Sequence, residues 1–316
     1  MIAALLLILG FALLIKGADV FVGASVDIAR MLKIPPVIIG LTVVAMGTSA
    51  PEIVISVTAS LRGANALAIS NVVGSNAFNL MFIIGLCALI RPMPVKLGEI
   101  SKDFWISIFA AVLLLGLKLL SGEHIPRLGG GILLSVFAVY MFSLVRQALR
   151  ARGEPENIGK NLGKPENKRK PLALVIFLAL LGLAMILVGG QLTVDNATSI
   201  AVSLGVTERV IGLTIVAMGT SLPELIICLL ACKRGENEFA IGNIVGSNIF
   251  NILFILGVAG LISPLEIDRA LVLDTAFLIV GSLVALKFVY SGKTLGSREG
   301  LVMLLLYAGY MVFVLI

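Results

Sequence analysis

The sequence has little charge and few of the residues that serve catalysis in soluble enzymes. Of its 316 residues, 13% are charged and 6% aromatic, and it contains one histidine, one tryptophan and three cysteines. A soluble domain has about 25% charged residues, because it must cover itself with polar surface. This composition excludes a soluble enzyme and a disordered chain. His124 and the cysteines form no spaced motif, so neither a disulfide framework nor histidine metal chemistry is supported.

Long hydrophobic runs are abundant instead, since 59% of the residues are hydrophobic. Runs of about 20 apolar residues predict transmembrane helices, and such unbroken runs exclude a membrane β-barrel, whose strands alternate. We therefore predict an all-α polytopic membrane protein with ten spans and no enzyme activity. The predicted spans are 2–27, 36–61, 66–90, 104–121, 127–149, 171–200, 209–231, 238–262, 270–290 and 300–316.

The chain contains two copies of one unit. Residues 40–79 align without gaps on residues 212–251, at a constant offset of 172 and with 25 identities in 40 positions. Each copy holds five spans, and because five is odd the second copy enters the membrane from the opposite side. Such inverted repeats are typical of secondary transporters, with binding sites near the midplane. We predict a first repeat at 1–149, a cytoplasmic linker at 150–170 and a second repeat at 171–316.

The basic residues predict an orientation. Loops after odd-numbered spans and their flanks hold 18 Lys and Arg residues, and the other side holds 5. Cytoplasmic loops are the basic ones, so both termini are predicted outside, in the plasma (inner) membrane of a prokaryote. The net charge of +6 therefore indicates contact with the lipid bilayer and basic cytoplasmic loops, and not a nucleic acid partner.

Two glutamates lie close to the middle of predicted spans. Glu52 and Glu224 are each about three residues from mid-span, at equivalent positions of the two copies. A carboxylate at the centre of a membrane helix costs at least ~2.5–3.5 kcal/mol, so it usually has a function. No Lys or Arg occurs at comparable depth in these spans or in 66–90 and 238–262. A structural ion pair is therefore the weaker interpretation.

Each glutamate ends a Gly-Thr-Ser-x-Pro-Glu motif. A proline inside a helix removes one donor and displaces the carbonyl four residues back. Irregular backbone at this depth is tolerated only where it is buried or lines a polar cavity. Spacing of four predicts that Thr48 and Glu52 share a helix face, with Ala45 one turn away. The hydroxyl residues of the two motifs are Thr48, Ser49, Thr220 and Ser221.

A second repeated motif, Asn-x-x-Gly-Ser-Asn-x-x-Asn, follows each glutamate. Ser75 and Asn79 are four residues apart, as are Ser247 and Asn251, so each pair is predicted to share one helix face toward a site. The glycines fit close packing of helices. The remaining asparagines, which we expect to contact the ligand residues and not the ion itself, are Asn71, Asn76, Asn243 and Asn248.

Carboxylates, hydroxyls, amides and carbonyls form an oxygen set that suits hard cations such as Ca²⁺. Without imidazole or thiolate on the same faces, zinc and copper fit poorly. Two carboxylates match one Ca²⁺ or two monovalent ions. An anion is disfavoured because no basic side chain lies at depth.

The signatures GLTVVAMGTSAPE and GLTIVAMGTSLPE resemble the α-repeats of the sodium/calcium exchanger family. The resemblance implies antiport of Ca²⁺ against Na⁺ by alternating access, with 2–27 and 171–200 as gating spans and no cofactor. Ca²⁺/H⁺ exchange through the same glutamates is the alternative. The implied metal ligands are Glu52, Glu224, Thr48, Ser49, Ser75, Asn79, Thr220, Ser221, Ser247 and Asn251, with the carbonyls of Ala45 and Ala217.

Two departures from this family pattern affect the expected function. Some members have an aspartate where this chain has Asn79 or Asn251. The site is then one charge less negative, which argues against three Na⁺ per Ca²⁺. The linker of about 21 residues is also too short for the cytoplasmic calcium-sensing domains of animal relatives.

Overall fold

The fold is helical almost throughout. The computed structural model describes residues 2–95, 97–122, 124–151, 171–205, 217–266, 269–292 and 294–315. The helices that begin the chain are α1 (Ile2–Leu32), α2 (Pro36–Ile39), α3 (Ala45–Thr48), α4 (Ala50–Leu61), α5 (Asn65–Ala77), α6 (Ile84–Ile90), α7 (Leu97–Ser121) and α8 (Arg127–Ala151). The second half contains α9 (Leu172–Ser203), α10 (Ala217–Gly219), α11 (Leu222–Arg234), α12 (Asn237–Ile249), α13 (Leu256–Ile262), α14 (Arg269–Gly292) and α15 (Ser297–Leu315).

Within the described residues, three π-helical segments interrupt the α-helices, at Gly40–Val44, Phe78–Ile83 and Phe250–Ile255. Four two-residue strands in the same part of the chain form two antiparallel pairs. Strand β1 (Met93–Pro94) pairs with β4 (Thr294–Leu295), and β2 (His124–Ile125) pairs with β3 (Leu265–Glu266). Each pair joins one strand from either sequence repeat.

Within the described residues, eight helices are long and apolar enough to cross a membrane, and a ninth span results if Pro36–Thr48 and Ala50–Leu61 are one interrupted crossing. The predicted span 209–231 lies partly outside the described residues, and its described part contains α10 and most of α11, which continues to Arg234. The predicted fold class, an all-α polytopic membrane protein, is confirmed, and the ten predicted spans are consistent with these helices. The predicted linker 150–170 lies outside the described residues, apart from positions 150 and 151.

Two compact units divide the chain. The first comprises Met1–Thr48 and Tyr140–Asn243, and its main feature is the long antiparallel pair α1 and α9. Glycines make that pair close: a Cβ on Gly17 would lie 2.9 Å from the carbonyl oxygen of Gly182, and one on Gly182 would lie 2.8 Å from that of Gly17. Any side chain at either position would push the two backbones apart.

The second unit comprises Ser49–Val139 and Ile244–Ile316. Its core is the most deeply buried part of the chain, because α5, α13 and the two later π segments are surrounded by other helices. Aromatic stacks repeat within it. The rings of Phe78 and Phe82 stack at 4.7 Å, and those of Phe250 and Phe254 stack at the same distance and angle. The two sequence repeats therefore reappear here as repeated packing.

Candidate functional site

Glu52 lies in the first turn of α4, directly after a break in its span. Helix α3 ends at Thr48, Ser49 leaves helical geometry (φ −79°, ψ 12°), and α4 begins at Ala50 with Pro51 in its first turn. A proline is tolerated there because the first-turn N–H groups have no helical partner in any case. The Glu52 side chain is completely buried. The sequence-based prediction of irregular backbone beside this glutamate agrees with the break.

The break also changes one sequence argument. Thr48 and Glu52 were expected to share a face of one continuous helix, but the helix that contains Thr48 ends before the one that contains Glu52 begins. The spacing rule therefore does not apply across Ser49. Thr48 is instead oriented by its own turn, since its Oγ1 donates to the carbonyl of Ala45 at 3.3 Å.

Glu224 lies in the same local geometry in the second copy. Helix α10 begins at Ala217 and ends at Gly219, Ser221 leaves helical geometry (φ −92°, ψ 9°), and α11 has Pro223 in its first turn. Glu224 is completely buried, as is Ser221, and Thr220 is 6% exposed. The motif thus produces the same break twice, each time placing a buried carboxylate in the first turn of a new helix.

The second unit holds several buried polar groups besides Glu52. Ser75 Oγ donates to Glu52 Oε1 at 3.4 Å, which joins α5 to α4. Asn79, Ser247 and Asn251 are buried in the same unit. Among the residues that the structure describes, the Oδ1 atoms of Asn79 and Asn251 and the Oγ of Ser247 accept or donate no hydrogen bond. A buried oxygen without a hydrogen bond lowers the stability of the fold by about 1–3 kcal/mol unless a ligand binds it.

Both candidate amides occupy π-helical turns. Asn79 is the second residue of Phe78–Ile83, and Asn251 is the second residue of Phe250–Ile255. A π turn inserts one extra residue into a helix and is frequent at functional sites. These turns were not predicted from the sequence, because the hydrophobic periodicity is continuous and no residue type specifies a π turn. The repeated Gly-Ser-Asn-x-Phe-Asn string is the only signal that marks them.

Four asparagines of the second unit form a crossed hydrogen-bond network. Asn76 Nδ2 donates to the backbone carbonyl of Asn248 at 3.0 Å, and Asn248 Nδ2 donates to that of Asn76 at 3.2 Å. Asn251 Nδ2 then donates to Asn76 Oδ1 at 3.0 Å, and Asn79 Nδ2 donates to Asn248 Oδ1 at 3.4 Å. Asn76 and Asn248 thus contact the candidate ligand amides, in line with the supporting role expected from the sequence.

The other two repeated asparagines contact different groups. In the first unit, Asn243 Oδ1 lies 3.3 Å from Thr48 Oγ1 and shares its one hydroxyl hydrogen with the Ala45 carbonyl, and Asn243 Nδ2 donates to Cys228 Sγ at 3.4 Å. In the second unit, Asn71 donates to Ser56 Oγ at 3.1 Å. Ser56 and Cys228 are equivalent positions of the two repeats. The asparagine therefore donates to the same position in each repeat, to a hydroxyl oxygen in the first and to a sulfur in the second.

The predicted ligands fall into two sets by unit. The first unit holds Ala45, Thr48, Ala217, Thr220, Ser221 and Glu224, and the second holds Ser49, Glu52, Ser75, Asn79, Ser247 and Asn251. Every one of these side chains that the structure describes is buried. Each set combines one carboxylate with hydroxyl groups, and the second set adds two amides. Each set is an oxygen-rich environment that suits a hard cation.

A charged cluster in the first unit contains none of these residues. A cavity of about 340 Å³ is lined by residues that include Asp19, Asp27, Arg30, Arg234 and Glu236. Arg234 pairs with Asp19 and also donates to its backbone carbonyl at 2.9 Å, and Arg30 lies 3.7 Å from Glu236. Burial raises the pKa of Glu236 and outweighs the lowering effect of Arg30.

Comparison with known proteins gives consistent matches over the whole chain. The family model described as sodium/calcium exchanger protein matches residues 2–146 and 174–316. The sodium/calcium exchanger MaX1 of Methanosarcina acetivorans is 33% identical, covering 98% of this chain and 97% of that protein. The inner membrane protein YrbG of Escherichia coli is 38% identical, covering 85% and 82%. A structure of the sodium-calcium exchanger NCX_Mj, soaked with 10 mM Na⁺ and no Ca²⁺, matches at a TM-score of 0.83 and 32% identity, covering 98% of both chains.

Proposed function

Because the chain belongs to the sodium/calcium exchanger protein family, we propose that it is a secondary antiporter that exchanges Ca²⁺ for Na⁺ across a membrane. The family match supports transport of Ca²⁺ by exchange. Coupling to Na⁺ is the finer part of the proposal, and it is supported by the names of MaX1 and NCX_Mj. The observation that carries the proposal is the pair of completely buried glutamates, each in the first turn of a helix that follows a break.

Glu52 and Glu224 are proposed as the principal carboxylates for the transported cations. Their equivalence in the sequence repeat supports a joint role, and their complete burial suits carboxylates that bind a cation. The hydroxyl, amide and carbonyl ligands are proposed to be Thr48, Ser49, Ser75, Asn79, Thr220, Ser221, Ser247 and Asn251, with Ala45 and Ala217. Na⁺ and Ca²⁺ compete for these oxygens.

Alternating access is the proposed mechanism, with α1 and α9 as the moving helices. The close backbone contact of this pair supports the idea, because small residues leave few interlocked side chains to obstruct a shared movement. Both termini are proposed to lie outside a prokaryotic plasma membrane, and the excess of Lys and Arg in the loops after odd-numbered spans supports that orientation. Reporter fusions at both termini and after residue 150 test it.

A flux assay tests the proposed coupling. Purified protein in liposomes is loaded with Na⁺, diluted into Na⁺-free buffer with ⁴⁵Ca²⁺, and compared with liposomes that carry a pH gradient only. Sodium-driven uptake that stops when an ionophore collapses the Na⁺ gradient is expected. Uptake driven by the pH gradient alone would instead identify Ca²⁺/H⁺ exchange through the same glutamates. Uptake that never saturates and needs no counter-ion would overturn antiport altogether.

A further inference from the structure

The crossed network gives two asparagines a role that their burial alone does not reveal. An amide side chain has an oxygen at one end and an NH₂ group at the other, and only the oxygen binds a cation. The two ends have nearly the same shape, so packing does not select between them. Something must therefore hold the candidate ligand amides with Oδ1 available.

Hydrogen bonding to a backbone carbonyl selects the orientation of Asn76. A carbonyl only accepts, so the Asn76 atom that faces the Asn248 carbonyl at 3.0 Å must be Nδ2. Asn76 Oδ1 then lies at the other end of the amide, where it accepts from Asn251 Nδ2 at 3.0 Å. With Nδ2 used in this bond, Oδ1 is the amide atom of Asn251 that remains available.

The same two contacts occur with the roles of the repeats exchanged, so that Asn248 orients Asn79. Asn248 Nδ2 donates to the Asn76 carbonyl, and Asn248 Oδ1 accepts from Asn79 Nδ2. Within the described part of the chain, the Oδ1 atoms of Asn79 and Asn251 are buried and have no hydrogen-bond partner. If either amide turned over, two carbonyl oxygens would face each other and the NH₂ group would point toward the cation.

We propose that Asn76 and Asn248 are positioning residues that orient the amides of Asn251 and Asn79, respectively, so that oxygen and not nitrogen is presented to the transported cation. This inference rests on the proposed function, because it assigns support for the proposed ligands. Groups that orient metal ligands in this way typically change metal affinity about 10–100-fold when they are removed. Neither asparagine touches the ion in this scheme.

Calcium binding to purified protein in detergent tests the proposal. Asn76→Leu and Asn248→Leu remove the orienting amides with little change of volume, and Asn71→Leu is the matched control on α5, since Asn71 contacts Ser56 and not a ligand amide. The dissociation constant for Ca²⁺ is measured by thermal stabilisation. We expect it to rise about 10–100-fold in the first two variants and to stay near the wild-type value in the control.

A double-mutant cycle separates positioning from general support of the fold. If Asn76 acts through Asn251, adding Asn76→Leu to Asn251→Ala should leave the Ca²⁺ dissociation constant of Asn251→Ala unchanged. A purely structural role would lower ion-free stability and would weaken binding additively. Unchanged binding in Asn76→Leu, or additive losses in the double variant, would overturn the proposal.

Two further outcomes are distinguishable. If wild-type protein itself binds no Ca²⁺, the proposed function fails before the asparagines are tested. If Asn76 and Asn248 variants do not fold as leucine or as the smaller alanine, while Asn71→Leu does, the pair is a structural element and the positioning role is wrong. Competition by Na⁺ provides a second readout, since both ions need the same amide oxygens.

Discussion

The two repeats agree at their buried polar residues and differ at the charged end of α1. Glu52 and Glu224 follow the same broken helices, and Asn79 and Asn251 occupy equivalent π turns. At the offset of 172, however, four of the five charged residues around the cavity of the first unit have no charged counterpart, and only Arg234 has one, Arg62. Asp19, Asp27, Arg30 and Glu236 correspond to Gln191, Ser199, Val202 and Ala64.

The proposed function accounts for this difference. In it, the ligands of an ion that is reached from both sides are subject to the same geometric demands in each copy, so their motifs are expected to be nearly identical. The charged cluster instead draws on both repeats, since it joins Asp19 of α1 to Arg234 at the end of α11.

The largest effect on transport is expected from substitution of Glu52 or Glu224, which occupy equivalent positions of the two repeats. Glu52→Gln and Glu224→Gln each leave a divalent ion with one carboxylate in a region of low dielectric, where Coulomb energies are large. Each variant should abolish sodium-driven ⁴⁵Ca²⁺ uptake while the protein still purifies as a folded species. Glu266→Gln, on an exposed side chain of β3, is the control and should transport normally. Near-normal uptake in either buried variant would remove that glutamate from the site.

Both repeats have an uncharged amide at the candidate ligand position, and this predicts how Ca²⁺ uptake depends on voltage. With two carboxylates, one Ca²⁺ or two Na⁺ neutralise the proposed site, and a third Na⁺ would leave a costly buried net charge. Wild-type Ca²⁺ uptake should therefore respond little to an imposed K⁺ diffusion potential. Asn251→Asp makes the repeats unequal and should make uptake voltage-dependent, at some cost in stability, because a carboxylate cannot donate to Asn76 Oδ1.

Two matched variants sharpen that test. Asn79→Asp adds the same charge to the other repeat and should act in the same direction, while Asn71→Asp adds it where no candidate ligand is contacted. If wild-type uptake already responds to voltage as three Na⁺ per Ca²⁺ requires, the charge-counting argument is wrong.

A smaller effect is expected at the charged cluster. Arg234→Gln removes the ion pair with Asp19 and the bond to its carbonyl, whereas Arg62→Gln changes the equivalent arginine, which is exposed. Ion pairs between partly exposed side chains contribute about 0–1 kcal/mol. The melting temperature in detergent should fall slightly more for Arg234→Gln than for Arg62→Gln. Equal losses would mean that the cluster adds no stability of its own.

The smallest effect concerns the pH dependence of stability at Glu236. Because burial raises its pKa above the unfolded value, the folded protein binds more protons between those two values, and stability falls as pH rises through that interval. Glu236→Gln should therefore raise the melting temperature slightly at pH 7. The gain should disappear near pH 4, where Glu236 is protonated in both states. A gain that is the same at both pH values would contradict this explanation, and Glu266→Gln controls for loss of an exposed charge.

Much of the fold could be predicted because a membrane helix is marked by a local feature of the sequence, a run of about 20 apolar residues. The predicted spans 66–90 and 127–149 differ by no more than two residues from Asn65–Ile90 and Arg127–Ala151. Proline and glycine likewise predicted irregular backbone next to Glu52 and Glu224. The shared helix face of Thr48 and Glu52 could not be predicted correctly, because the sequence does not state where one helix stops and the next begins.

The sequence by itself determined the membrane class, the repeat and the candidate ligands, since apolar length, a constant offset and buried charge are all properties of residue order. Only the tertiary structure decided how the asparagines are used. The orientation of Asn251 depends on Asn76, which lies 175 positions away, and on a backbone carbonyl that has no sequence signature. The pairing of Asp19 with Arg234 is likewise set by packing. Hydrogen bonds and ion pairs act over a few ångströms, so they depend on which distant segments the fold brings together.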